Sequence, residues 1–140
     1  MWQLYFFELC PFSRKVRLLM AEKAVGCELK RELPWEQHDD FLTLNPASRT
    51  PVLRDEERDI TLCDSVAICE YLEETVDKAS MINGTAINRA EIRRLVAWFD
   101  EQFYGDVTAP LLHERMHKRL VHRQPPEARI LREAMRRANN

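Results

Sequence analysis

No apolar run in this chain approaches the ~18–20 residues that a membrane-spanning helix needs. The N-terminus has neither a basic leading segment nor a small-residue cleavage site. These absences lead us to expect a cytoplasmic protein with no membrane partner. The four cysteines, Cys10, Cys27, Cys63 and Cys69, form no C-x-x-C pair and no zinc-ribbon spacing, so free thiols in a reducing compartment and no structural metal are expected. Repeats and low-complexity stretches are also missing. What is present, 45% hydrophobic and 31% charged residues over 140 positions, describes one ordinary globular domain or two small ones.

The net charge of −2 hides an asymmetry. Between His113 and Arg137, eight basic residues stand against three acidic ones, a net of +5, which leaves −7 for the rest. Such a segment reads first as the solvated face of a helix, and nucleic acid is not the expected partner.

The first stretch with chemical meaning is Trp2 to Ser13. Trp2, Leu4, Tyr5, Phe6 and Phe7 suit a short buried strand. Pro11 favours a first helical position, and Val16, Leu19 and Met20 follow at helical spacing. Cys10 therefore falls where a strand hands over to a helix. The unsatisfied N–H groups of a helix start stabilise a thiolate. Arg14 and Lys15 add positive charge, and the Ser13 hydroxyl is placed to donate to sulfur. Cys63 and Cys69 lie among apolar neighbours and read as core.

Gly26 is expected to end the first helix, and residues 27–33 read as a second strand. A loop over residues 34–40 precedes a short helix near Phe41. Asn45-Pro46-Ala47-Ser48-Arg49 is turn chemistry. Strands at residues 50–53 and 60–62 flank a charged turn, and Asp64 caps a helix carrying Ile68, Tyr71 and Leu72. The order β-α-β-α-β-β-α over residues 1–76 predicts one α/β domain, a sheet with helices on both faces. After a linker at 77–85 the pattern becomes all-α over 86–140. Pro110 should kink or interrupt the long helix of that part. The stripe Ile130, Leu131, Ala134 and Met135 finds little to bury against. His113-Glu114-Arg115-Met116-His117 matches H-E-x-x-H, but its strongly basic surroundings oppose a cation, and no metal site is assigned to it.

Three segments in this order resemble the cytosolic glutathione S-transferase family, with its thioredoxin-like N-terminal domain and helical C-terminal domain. Cys10-Pro11-Phe12-Ser13-Arg14-Lys15-Val16-Arg17 is similar to the active-site turn of the cysteine-type, omega-like classes. The stretch Asn45 to Leu53 resembles the loop containing a cis-proline, and Cys63 to Leu72 resembles the (Glu/Asp)-Ser-x-Ala-Ile segment. The helical part is shorter than the family's second domain, as in a C-terminally truncated bacterial member.

The resemblance implies glutathione as co-substrate and Cys10 and Ser13 as catalytic residues. Phe12, Gln37, His38, Thr50, Pro51, Asp64 and Ser65 would be glutathione-binding. Pro51 would be the cis-proline, and Asp64 and Ser65 would hold the γ-glutamyl end. Gln37 and His38 stand where many relatives place a basic side chain for the glycine carboxylate. Two enzymatic routes are implied: thiol transfer through a Cys10 mixed disulfide, or conjugation with Ser13 supporting the glutathione thiolate. A non-catalytic scaffold that binds a protein partner, for example FtsZ of bacterial cell division, is the alternative. A homodimer is expected in either case.

Overall fold

The computed structural model describes residues 1–78 and 80–139. Its contacts divide the chain into two compact units, Met1–Met81 and Ile82–Asn140. The first runs β1 (Trp2–Phe6), α1 (Pro11–Glu22), β2 (Cys27–Arg31), α2 (Asp39–Leu44), β3 (Val52–Asp55), β4 (Ile60–Cys63) and α3 (Ser65–Thr75). Its sheet has the order β2-β1-β3-β4, with β1 parallel to β2 and antiparallel to β3, and β3 antiparallel to β4. The α/β, thioredoxin-like architecture is as the sequence predicts.

Alternation along β1 builds both layers. Trp2, Leu4 and Phe6 join Leu53, Val16, Leu19 and Met20 of α1, and Ile68 and Leu72 of α3 in one core. Tyr5 points the other way and meets Phe41 of α2 with ring centroids 5.8 Å apart; beyond the strand, Phe7 meets Trp35 at 5.2 Å. A one-residue slip of β1 would exchange these two sets, so both aromatic faces fix its register. Each fully buried aliphatic side chain contributes about 2 kcal/mol.

The end of α1 differs from expectation. Gly26 does not terminate it; Ala24 takes the left-handed conformation at φ +52. Ala24 N–H bonds Ala21 O, and Val25 N–H bonds Met20 O at 2.8 Å, the paired closure that a glycine usually makes.

In the second unit α4 (Ala86–Ala97) is capped by Thr85, and helical backbone continues to residue 120. It passes through a widened stretch (Trp98–Thr108), α5 (Ala109–Leu112), a second widened stretch (His113–His117) and α6 (Lys118–Leu120). Pro110 does not interrupt it. Thr108 and His113, on either side, keep right-handed helical dihedrals, and ahead of the proline Ala109 N–H reaches back five residues to Tyr104 O. Proline lacks an N–H and crowds the carbonyl four residues before it; that carbonyl, of Asp106, lies within the first widened stretch. After a break, α7 (Ala128–Ala138) packs on α5 and the first widened stretch. Ala134 is buried there and Ile130 and Leu131 half-buried, more than the sequence suggests, while Met135 stays 50% exposed. Among the described residues no helix is long and apolar enough to cross a membrane.

Candidate functional site

Cys10 is the N-cap residue of α1, half-buried, with extended backbone. Two main-chain groups meet its sulfur. Ser13 N–H donates to Sγ at 3.5 Å, and the thiol donates to Thr50 O at 3.4 Å. The sulfur thus bridges the mouth of α1 and the loop entering β3, and is not sealed among hydrocarbon.

Ser13 is fully buried, and its hydroxyl takes a different partner from the expected one. The oxygen lies 3.5 Å from Phe7 N–H and accepts from it, tying β1 to α1. The link from Ser13 to sulfur is main-chain. Phe12, half-buried in the same turn, has the Lys15 ammonium 6.0 Å from its ring centroid.

The Thr50–Pro51 peptide bond is cis, and both residues are buried. Asn45 shapes the loop leading to them: buried itself, it donates from Nδ2 to Arg49 O at 2.8 Å and accepts from Ala47 N–H at 3.2 Å. Ser48, at φ +50, donates to Pro34 O at 2.9 Å, which pins the loop to the segment after β2. The asparagine turn was legible in the sequence; the Ser48 tether was not, because its partner lies fourteen residues away.

Asp64 caps α3, accepting from Val66 N–H at 2.7 Å and Ala67 N–H at 3.2 Å. It is exposed and held at φ +77, a conformation rare for a residue with a side chain and concentrated at functional sites. Ser65 beside it is buried. Next in chain, burial pushes the Cys63 thiol up and the Asp64 charge adds to this; Cys63 Sγ donates to Leu44 O at 3.5 Å.

Gln37 and His38 are exposed, Gln37 at φ +50. His38 lies between two carboxylates that the sequence reading overlooked. Nδ1 is 2.9 Å from Glu32 Oε1 and Nε2 is 3.3 Å from Glu36 Oε2. The hydrogen bond to Glu32, then its charge, raises the His38 pKa above the usual imidazole value. A protonated ring here is already matched by anions.

In the second unit Glu114 is buried, accepting from Lys118 Nζ at 2.8 Å and from Glu127 N–H at 2.6 Å. Its carboxylate anchors the entry to α7, and the His113 and His117 rings stack on each other at 5.4 Å. Among the described residues no group of three or more His, Cys, Asp or Glu is placed to hold a metal ion.

Known proteins share this arrangement. The model of the glutathione S-transferase N-terminal domain matches residues 4–80. A crystal structure of a glutathione S-transferase from Rhodospirillum rubrum superposes with a TM-score of 0.94 at 41% identity, covering 99% of this chain and 62% of that one. FtsZ-localized protein A of Caulobacter vibrioides is 38% identical over 132 residues, 93% of this chain and 58% of that protein. Glutathione S-transferase GstB of Escherichia coli is 34% identical over 109 residues, 70% of this chain and 49% of that protein. The chain thus spans about half to three-fifths of the length of these relatives. On the domain match and these identities, the chain belongs to the glutathione S-transferase family.

Proposed function

We propose that the chain is a cytoplasmic glutathione-dependent transferase that uses Cys10 for thiol transfer. The observation that carries this reading is the Cys10 sulfur at the start of α1, 3.5 Å from Ser13 N–H and 3.4 Å from the carbonyl of Thr50 ahead of the cis bond. Glutathione would run along Thr50-Pro51, with its cysteinyl main chain bonding Thr50. The Thr50 carbonyl has two lone pairs and so can also serve Cys10. The γ-glutamyl end would dock at Asp64 and Ser65. Asp64 already takes the Val66 and Ala67 N–H groups, so the ligand carboxylate would meet the Ser65 N–H and hydroxyl, and the ammonium the Asp64 carboxylate. Phe12 borders the cysteinyl portion, and Gln37 and His38 face the glycine end.

In the reaction, Cys10 thiolate attacks the glutathione sulfur of a glutathionylated disulfide. A mixed disulfide forms and the substrate thiolate leaves. A second glutathione thiolate then attacks the glutathione sulfur of the mixed disulfide, giving oxidised glutathione and restoring Cys10 thiolate. In the conjugation route the glutathione thiolate attacks an electrophile directly. Support for that thiolate would come from the helix-start N–H groups, since the Ser13 hydroxyl is turned to Phe7. The exposed Ile87, Leu95, Trp98 and Phe99 support homodimerisation, which burial of such a surface favours.

One observation favours a second reading, a non-catalytic scaffold for a protein partner such as FtsZ. Glu32 and Glu36 neutralise His38, so His38 is not a free cation for the glycine carboxylate, and one relative is named for its localisation with FtsZ. Retention on glutathione-agarose with a raised melting temperature supports the transferase. Absence of both at millimolar glutathione would sink it in favour of the scaffold.

A further inference from the structure

Arg115 and Arg119 stand four residues apart on one helix surface, and Arg123 follows three residues past the helix end at Leu120. With Gln124, Pro125 and Pro126 they line a concave surface of about 720 Å³. Neighbouring cations are matched by anions: Lys118 by Glu114, Arg136 by Glu133, and Arg137 by Glu133 and Asp106. Among the described residues, no carboxylate pairs with Arg115, Arg119 or Arg123. The backbone contributes as well. Arg123 is held at φ +52, rare for a residue with a side chain, and Gln124 N–H bonds Lys118 O at 2.9 Å. That turn brings Pro125 and Pro126 round to close the concavity.

A concave surface with three unmatched guanidiniums selects anions, because guanidinium groups bind carboxylates in a two-point geometry. Four helical residues advance ~6 Å, and alternate side chains of an extended peptide lie ~6.6 Å apart on one face. The Arg115–Arg119 step therefore matches that of the peptide, and the turn at Arg123 adds a third guanidinium at the same concavity. The proline rings lack N–H donors and offer apolar surface to glutamate stems. A long polyanion is disfavoured by the net charge of −2 and the −7 outside the His113 to Arg137 segment; a short acidic segment meets only the local positive field.

We infer that this concavity docks an extended acidic peptide segment of a partner protein, alternate carboxylates pairing with Arg115 and Arg119 and a further one with Arg123. The inference is independent of the thiol chemistry and gives a partner-binding role its chemistry.

The test is fluorescence anisotropy of the whole chain at ~50 mM salt, with a labelled peptide of alternating Glu and Ala. Its Gln counterpart and a single-stranded DNA oligonucleotide of equal length serve as competitors. The Glu peptide is expected to bind at least about tenfold more tightly than either competitor. Arg115→Gln/Arg119→Gln, and the same pair with Arg123→Gln added, should weaken it about tenfold or more with unchanged melting temperature. Arg132→Gln, an exposed arginine outside the concavity, should not. Cys10→Ala should leave peptide binding intact, which keeps this result separate from the fate of the glutathione reading. No binding of the Glu peptide up to about 1 mM, equal binding by the double variant, or tighter binding of the oligonucleotide would each overturn the inference.

Discussion

Lys23 Nζ lies 3.1 Å from Glu73 Oε1, with the lysine side chain fully buried and that of Glu73 only 7% exposed. The pair joins the end of α1 to α3. Ser80 Oγ, at 2.6 Å, and Met81 N–H complete the shell around the carboxylate. Removing one partner of a buried pair strands the other, so Lys23→Ala should cost about 3 kcal/mol in urea unfolding. Replacing both residues with Met and Leu should cost clearly less. Equal losses for the single and double variants would remove the pair from the account of stability.

The same carboxylate sets an acid limit. Burial by itself would raise Glu73, but the bonds from Ser80, Met81 N–H and Lys23 outweigh it and hold its pKa below the usual value. Glu133 is held at about 2 by hydrogen bonds from Arg136 and Arg137. Both are depressed in the folded state. Their contribution is present above the unfolded value of ~4.3 and is lost as pH falls through the folded values. Urea midpoints should therefore hold from pH 7 to 5 and decline below about 4, and Glu73→Gln should flatten that decline.

His38 works in the opposite sense. Its folded pKa is raised, so its contribution is complete below ~6.5 and fades as pH rises through the folded value. In an NMR titration His38 should titrate above the usual imidazole value, and Glu32→Gln should bring it down. If the proposed site holds glutathione, Glu32→Gln combined with Glu36→Gln should tighten binding at acid pH by freeing the His38 cation for the glycine carboxylate.

Cys10→Ala separates the two enzymatic routes. Reduction of a glutathionylated substrate should fall by at least about a hundredfold, since the attacking sulfur is gone, whereas conjugation to an electrophile should persist. Loss of both, with the fold intact by circular dichroism, would count against conjugation. Undiminished disulfide exchange would remove Cys10 from the mechanism.

At the end of α1 the residue types sit at the wrong places for a helix stop. Ala24→Gly should stabilise the protein by about 1 kcal/mol, because glycine adopts positive φ without penalty. Gly26→Ala should be neutral or slightly stabilising: Gly26 has no positive φ and an added Cβ meets nothing within 4 Å. A destabilised Ala24→Gly variant in thermal melts would contradict the assigned backbone conformation.

Sequence by itself determined the alternation of β1, the helical face of α1, the proline that places Cys10 at a helix mouth, and the Asp64 cap. These are legible because each depends on contacts within a few residues, where periodicity and capping chemistry act directly. Tertiary structure decided the rest. The Ser13 hydroxyl turned to Phe7, His38 fell between Glu32 and Glu36, and Lys23 went into the interior against Glu73. Each outcome depends on which distant group the folded chain brings within hydrogen-bond reach, a matter of sheet order and helix packing that no local spacing encodes.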